Sequence, residues 1–174
     1  MEETSPWLHQ VIIRQLVEED LPALEWGGEY QHFRHLYAEA YQRARRGNTI
    51  LWVAEHPLRG LIGQIFIQLK CGRSELADGN SRAYMYAFRI QPDYRNQGLG
   101  TRLITHIEND LLQRNFEVLT LNVAKNNIAA IRLYQRLGFS ITAPEPGRWS
   151  YIDHNGEQQN VIEPAWRMEK GLKI

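Results

Sequence analysis

The sequence predicts an α/β (α+β) fold, a mixed central sheet of about six to seven strands with helices on both faces. Three observations predict it. Stretches with strand-like and helix-like apolar spacing alternate along the chain. Two early strand-like runs are joined by a short turn, as in a hairpin. A strand–helix–strand unit follows in the middle.

QVIIRQL, from Gln10 to Leu16, is rich in β-branched and apolar residues and reads as a strand. EEDLPALEW, from Glu18, supplies acidic residues and a proline, which suit a helix start. Gly27 and Gly28 end it. From Tyr30 to Arg46, Phe33, Leu36, Tyr37, Ala40, Tyr41 and Ala44 recur at the spacing of an amphipathic helix. Thr49 to Ala54 and Leu61 to Leu69 read as strands around a turn, HPLRG. CGRSELADGNS is a polar loop, and Arg82 to Ile90 (RAYMYAFRI) a strand. A helix over Gly98 to Gln113 places Leu99, Leu103, Ile104, Ile107, Leu111 and Leu112 on one side. Glu117 to Asn122 is a strand and Ile128 to Leu137 a helix. Two closing strands are expected, one from Phe139 and one from Val161 to Met168. The turn-rich tract between them is long, as functional loops often are.

A length of 174 residues suits one domain, taken as residues 1–174. Lysine and arginine number 20, against 20 aspartates and glutamates. That balance excludes a dedicated nucleic-acid binder, which carries a basic excess. RARR, at positions 43–46, reads as a solvated helix end. The one cysteine, Cys71, cannot pair internally and lacks the spacing of a zinc site, so no metal is expected. MEETSPWLHQ has no basic and apolar leader pattern, and no apolar run is long enough to span a membrane. The expected compartment is the cytoplasm, with no membrane partner and a monomer or homodimer as the assembly.

RNQGLGTRL, residues 95–103, sets two glycines at the start of a helix. A helix N-terminus offers free N–H groups and partial positive charge, and glycine lets an anion approach them. Gly98 and Gly100 therefore suit a pyrophosphate, with Arg95 adding a charged contact. The dinucleotide fingerprint G-x-G-x-x-G fails, because Leu103 stands where its last glycine belongs. The Walker motif fails for want of G-K-S/T.

IQPDYRNQGLGTRLI closely resembles the acyl-CoA pyrophosphate motif of the GNAT N-acetyltransferase superfamily, V/I-x-P-x-Y/F-R/Q-x-x-G-x-G. LNVAKNNIAAIRLYQRLGF, residues 121–139, resembles that superfamily's second signature. The resemblance implies a GNAT-like three-layer fold splayed between the Arg82–Ile90 and Glu117–Asn122 strands, with acetyl-CoA as cosubstrate in the splay. It implies that main-chain groups of Phe88 and Ile90 hold the acetyl carbonyl and the pantetheine. Arg95, Asn96, Gln97, Gly98, Leu99, Gly100 and Thr101 match the pyrophosphate loop. Asn127 matches a pantetheine contact and also suits an N-cap. Tyr134 matches the tyrosine that protonates the departing thiolate, or else is a packed aromatic.

The base is where this chain departs from relatives. Ribosomal-protein alanine acetyltransferases carry a glutamate where Asn122 stands, and histone acetyltransferases one where Tyr84 stands. Neither residue here is a carboxylate. Glu29 and Glu39 are the candidates that remain, beside a water chain. Tyr30, His32, Phe33, Tyr84, Tyr86, Trp149 and Tyr151 can wall an acceptor site, or equally fill a core. No acidic cluster announces a polyamine pocket. The implied activity is direct acetyl transfer to a primary amine in a ternary complex. The alternative is a non-catalytic acyl-CoA sensor of the same fold.

Overall fold

The computed structural model describes residues 5–173. Nine strands and three α-helices follow one another as β1 (Ile12–Gln15), α1 (Arg34–Arg45), β2 (Thr49–His56), β3 (Gly60–Gln68), β4 (Arg82–Ile90), α2 (Leu99–Gln113), β5 (Val118–Ala124), α3 (Ile128–Arg136), β6 (Ser140–Glu145), β7 (Arg148–Ile152), β8 (Gln158–Ile162) and β9 (Ala165–Gly171). Seven strands form one sheet in the order β1-β2-β3-β4-β5-β9-β6, and β7 and β8 form a separate hairpin. All neighbours in the large sheet are antiparallel except β4 and β5. A strand–helix–strand crossover through α2 makes that pair parallel, as the sequence predicts.

Both faces of the sheet are covered, which is why TILWVA reads as an unbroken apolar run. Its residues alternate between two cores. Ile50, Trp52 and Ala54 join the cluster that α2 and α3 complete with Leu103, Ile107 and Ile131. Leu51 and Val53 join Tyr37 and Ala40 of α1 and Phe66 of β3. The α2 side chains at 99, 103, 104, 107 and 111 are all buried, as the spacing requires, while Leu112 at the edge is half-buried.

Three expectations shift. The segment Glu18–Gly28 is 3-10 rather than α-helix, kinked where Trp26 and Gly27 take positive φ. Proline and paired glycines leave it too few consecutive main-chain bonds for an α-helix. The next helix begins at Arg34, after a 3-10 turn over Gln31–Phe33. The C-terminal tract forms four strands where two are expected, because its turn residues close the hairpin β7–β8 between β6 and β9.

Candidate active site

Strands β4 and β5 pair only over Arg82–Met85 and Val118–Leu121. Beyond that point β4 stays on β3 as far as Ile90, and β5 stays on β9 as far as Ala124. Each strand keeps its outer partner and loses its inner one, so the sheet opens. From Tyr86 to Ile90 the inner edge of β4 lacks a partner strand and leaves main-chain groups for whatever enters, apart from the Ala87 and Ile90 carbonyls, which accept from Gln64 and Arg95. A cleft of about 990 Å³ occupies the opening. Phe88, Asn122, Asn127 and Tyr134 line it along β4, β5 and α3, and Phe33, Tyr84, Tyr86 and Trp149 line it toward α1 and β7.

A bulge in β4 sets which side chains face which way. Gln64 pairs with Arg89 but Phe66 with Tyr86, so β4 carries one extra residue. Ala87 sits there at φ 50°. Buried Gln64 donates its Nε2 to the carbonyl of Ala87 at 3.3 Å, which holds the bulge. Before the bulge, Tyr84 and Tyr86 share a face, their rings parallel with centroids 5.9 Å apart. After it, Phe88 and Ile90 turn to α2. Arg89 turns to the α1 side, its guanidinium 4.4 Å from the centre of the Tyr30 ring.

The loop from Arg95 to Thr101 is not uniform. Asn96 and Gly98 take φ of 59° and 96°, the left-handed region that Gly98 adopts without strain. No side chain caps α2, so its first N–H groups are open. Arg95, Asn96 and Thr101 are exposed, and the Nε of Arg95 donates to the carbonyl of Ile90 at 2.7 Å. Leu99 points inward, 1% exposed. Gln97 is engaged elsewhere: its Oε1 accepts from Ser5 Oγ and Trp7 Nε1 at 2.8 and 2.9 Å. Gly100 also packs closely: a Cβ there would lie 3.3 Å from the Phe88 ring and 3.5 Å from Ile90, so its smallness serves helix-to-strand packing.

Asn127 caps α3, its Oδ1 accepting from the main-chain N–H of Ala130 at 3.2 Å, while the residue also lines the cleft. The ring of Tyr134 stands 6.5 Å from Phe88 and 5.8 Å from Phe139, and its hydroxyl has no hydrogen-bond partner among the described residues. Burial pushes its phenol up to about 12, with Tyr84 adding to the shift. Burial likewise raises Tyr84 to about 12, and Tyr86 beside it contributes. Asn122 presents a buried Oδ1 without a hydrogen-bond partner among the described residues. Glu29 is exposed and Glu39 lines a separate depression with His35 and Tyr151, so neither lines the main cleft.

Family and structural comparisons bear on this geometry. The model of the acetyltransferase (GNAT) family matches residues 13–139. The chain belongs to that family. In this GNAT chain a stretch of 58 residues is 41% identical to the ribosomal protein bS18-alanine N-acetyltransferase of Escherichia coli, covering 33% of this chain and 39% of that one. Another of 85 residues is 33% identical to the spermine/spermidine N(1)-acetyltransferase of Bacillus subtilis, covering 48% and 51%. The matches thus span about half or less of these relatives, which are named for different acceptors. The GNAT fold itself recurs in Ard1 from Thermoplasma volcanium, with a TM-score of 0.72 and 17% identity over 95% of this chain and 99% of that one.

Three residues that line this GNAT cleft, and one that holds its bulge, escape sequence reasoning. Glu145 is 7% exposed, gripped by both Nη atoms of Arg73 at 2.9 and 3.0 Å and reached by Arg167 at 3.3 Å. Arg73 comes from the polar loop, 72 positions away, and nothing local announces the pair. Arg89 reads as an ordinary strand residue, because only the bulge turns it toward α1. Gln64 lies in an apolar run, where a lone amide was the available signal.

Proposed function

We propose that this chain is an acetyl-CoA-dependent N-acetyltransferase that passes acetyl directly to a primary amine held beside it in a ternary complex. One observation carries the reading: the partnerless hydroxyl of Tyr134 and the unpaired edge of β4 share one cleft. The family's cosubstrate fits the residues present, since its amides need a free strand edge and its pyrophosphate an uncapped helix start. When bound it supplies a thioester carbonyl open to attack by an amine. Main-chain groups of Phe88 and Ile90 would hold and polarise that carbonyl and the pantetheine. Gly98 to Thr101, with Arg95, would take the pyrophosphate. The Tyr134 hydroxyl would donate a hydrogen bond to the leaving sulfur, burial keeping the phenol protonated throughout. Such chemistry needs positioning above all.

The acceptor's proton is lost without a dedicated carboxylate. Glu145 lines the cleft, but its oxygens are already held by Arg73 and Arg167. Asn122 and Tyr84 cannot act as carboxylate bases. We place the activity in a single domain of the cytoplasm.

Acetyl-CoA should raise the melting temperature by mass action, and an amine panel should release free thiol. Gly98→Val, which blocks the helix start, should remove most of the thermal shift. An unchanged shift in a folded Gly98→Val protein, or no thiol release with any amine, would refute the reading.

A further inference from the structure

Three arginines that line the cleft, Arg43, Arg89 and Arg148, form no salt bridge among the described residues. The carboxylates lining the same cleft are Glu145 and Glu163. Glu145 is already neutralised by Arg73 and Arg167, which leaves Glu163 against three free cations. Arg89 is also built into place. Its Nη1 donates to Tyr37 Oη at 3.0 Å, and its guanidinium lies 4.4 and 5.3 Å from the centres of the Tyr30 and Phe33 rings. A guanidinium has five N–H donors, and this one spends a single hydrogen bond on the protein. Held by stacking and one bond, it offers a fork that matches a carboxylate in two parallel bonds.

The side of the sheet matters. Tyr30, Phe33 and Tyr37 pack in the α1 core, whereas the start of α2, where a pyrophosphate would sit, belongs to the opposite core. Arg89 therefore faces the acceptor, not the cosubstrate's phosphates. The acceptor space is also roofed. Phe33 meets Trp149 at 6.2 Å and Tyr151 at 5.0 Å, joining α1's leading turn to the β7–β8 hairpin.

We propose that the acceptor is a small amino-carboxylate, a free amino acid in chemical class, whose carboxylate is taken by Arg89 while its amine faces the bulge of β4. Arg43 and Arg148 add positive potential that attracts the anion and repels a polycation. The aromatic roof favours a small acceptor over a long peptide. The proposal rests on acetyl transfer in this cleft, and its transfer step balances: the amine nitrogen bonds the acetyl carbon, the carbon–sulfur bond breaks, and the amine proton is lost as the thiolate gains one.

The test compares glycine, L-alanine, L-methionine and L-phenylalanine with their carboxamides, and with spermidine, under saturating acetyl-CoA. At least one acid should exceed its carboxamide in kcat/KM by on the order of 10-fold or more, as for a charged hydrogen bond. Removing the carboxylate lowers the amine's basicity and enriches its neutral form, so this preference cannot come from basicity. Arg89→Gln should bring the ratio close to one, Arg89→Lys should retain part of it, and Arg43→Ala or Arg148→Ala should lower it less. A carboxamide or spermidine used as well as every acid would overturn the proposal. So would an Arg89→Gln protein that keeps the ratio but binds acetyl-CoA more weakly, since the arginine would then serve the cosubstrate. Calorimetric titration of the same acids and amides supplies a readout independent of turnover. If acetyl-CoA neither binds nor is consumed, the acetyltransferase reading fails, while Arg89-dependent binding of acid over amide still decides this one.

Discussion

Tyr134 is the residue on which chemistry and packing are easiest to separate. Its ring sits between Phe88 and Phe139, and its hydroxyl makes no hydrogen bond to a protein group among the described residues. Tyr134→Phe keeps the ring and removes the donor. It should lower kcat by on the order of 100-fold, the lower range for a positioned proton donor, with little change in melting temperature. Stopped-flow or steady-state thiol release would show it, and a full kcat would leave Tyr134 as packing alone. The pH profile follows from the same burial. A phenol raised to about 12 remains a donor across the assay range, so it contributes no falling limb below about pH 11. On the reading that no carboxylate serves as base, kcat/KM should climb toward the acceptor's own pKa, about 8 for an α-amino group and about 10 for an alkyl amine. A plateau near pH 6–8 that vanished in Glu29→Gln or Glu39→Gln would identify that glutamate as the base.

At the scale of elements, the join between β6 and the β7–β8 hairpin is unforgiving. Gly147 has φ 67°, and a Cβ there would fall 1.7 Å from the carbonyl oxygen of Glu163. That oxygen belongs to backbone, and the neighbouring Glu163 N–H is bonded to the Gly147 carbonyl at 2.9 Å, so neither chain can move aside alone. Gly147→Ala should cost about 2–6 kcal/mol, the strained φ and the overlap each contributing about 1–3. Because the hairpin carries Trp149 and Tyr151, the variant should raise the KM of the amine more than that of acetyl-CoA. Thermal denaturation and two-substrate kinetics would check both halves. A valine at 100 would press on Phe88 and act through the fold, whereas one at 98 would strain a left-handed backbone beside Leu8 as well as stand at the helix start, so the Gly98→Val protein is read only where its own melting temperature shows it folded.

For the whole molecule, one charged junction ties the first strand to the elements on either side. Arg14 of β1 binds both oxygens of Asp20 at 2.7 and 2.9 Å and Glu55 of β2 at 2.8 Å. The Asp20 carboxylate also accepts from the Val17 N–H at 2.8 Å. The bond from Arg14, with help from Val17, holds the Asp20 carboxyl below the usual carboxylate range despite partial burial. A lowered folded pKa stabilises the protein fully above the unfolded value of about 3.9 and loses that contribution as pH falls through the folded one. Asp20→Asn should therefore cost about 1–3 kcal/mol at neutral pH, the range for charged hydrogen bonds. The gap to the parent protein should narrow as pH drops below about 4. Urea unfolding at neutral and acidic pH measures it, and a gap that held constant would remove the pair from the account.

The sequence by itself determined the layers and the two helix starts that border the proposed cosubstrate half of the cleft. Two-sided apolar runs place the central strands between covered faces, and the period of Leu99 to Leu111 fixes which side of α2 is buried. RNQGLG and the stretch ending at Phe139 are local in the chain, so their helix starts and the cap at Asn127 could be read from neighbouring residues. The acceptor half was legible only as a set of aromatic residues, and its charge was not. Tertiary structure decided that half, because its parts come from distant segments and depend on one extra residue in β4. The bulge at Ala87 reverses the alternation and turns Arg89 toward Tyr30 and Tyr37, while Gln64 on the next strand holds it there. Pairing of Arg73 with Glu145 joins a polar loop to the end of a late strand. A bulge shifts every later side chain to the opposite face, and local sequence carries no record of a partner strand's register.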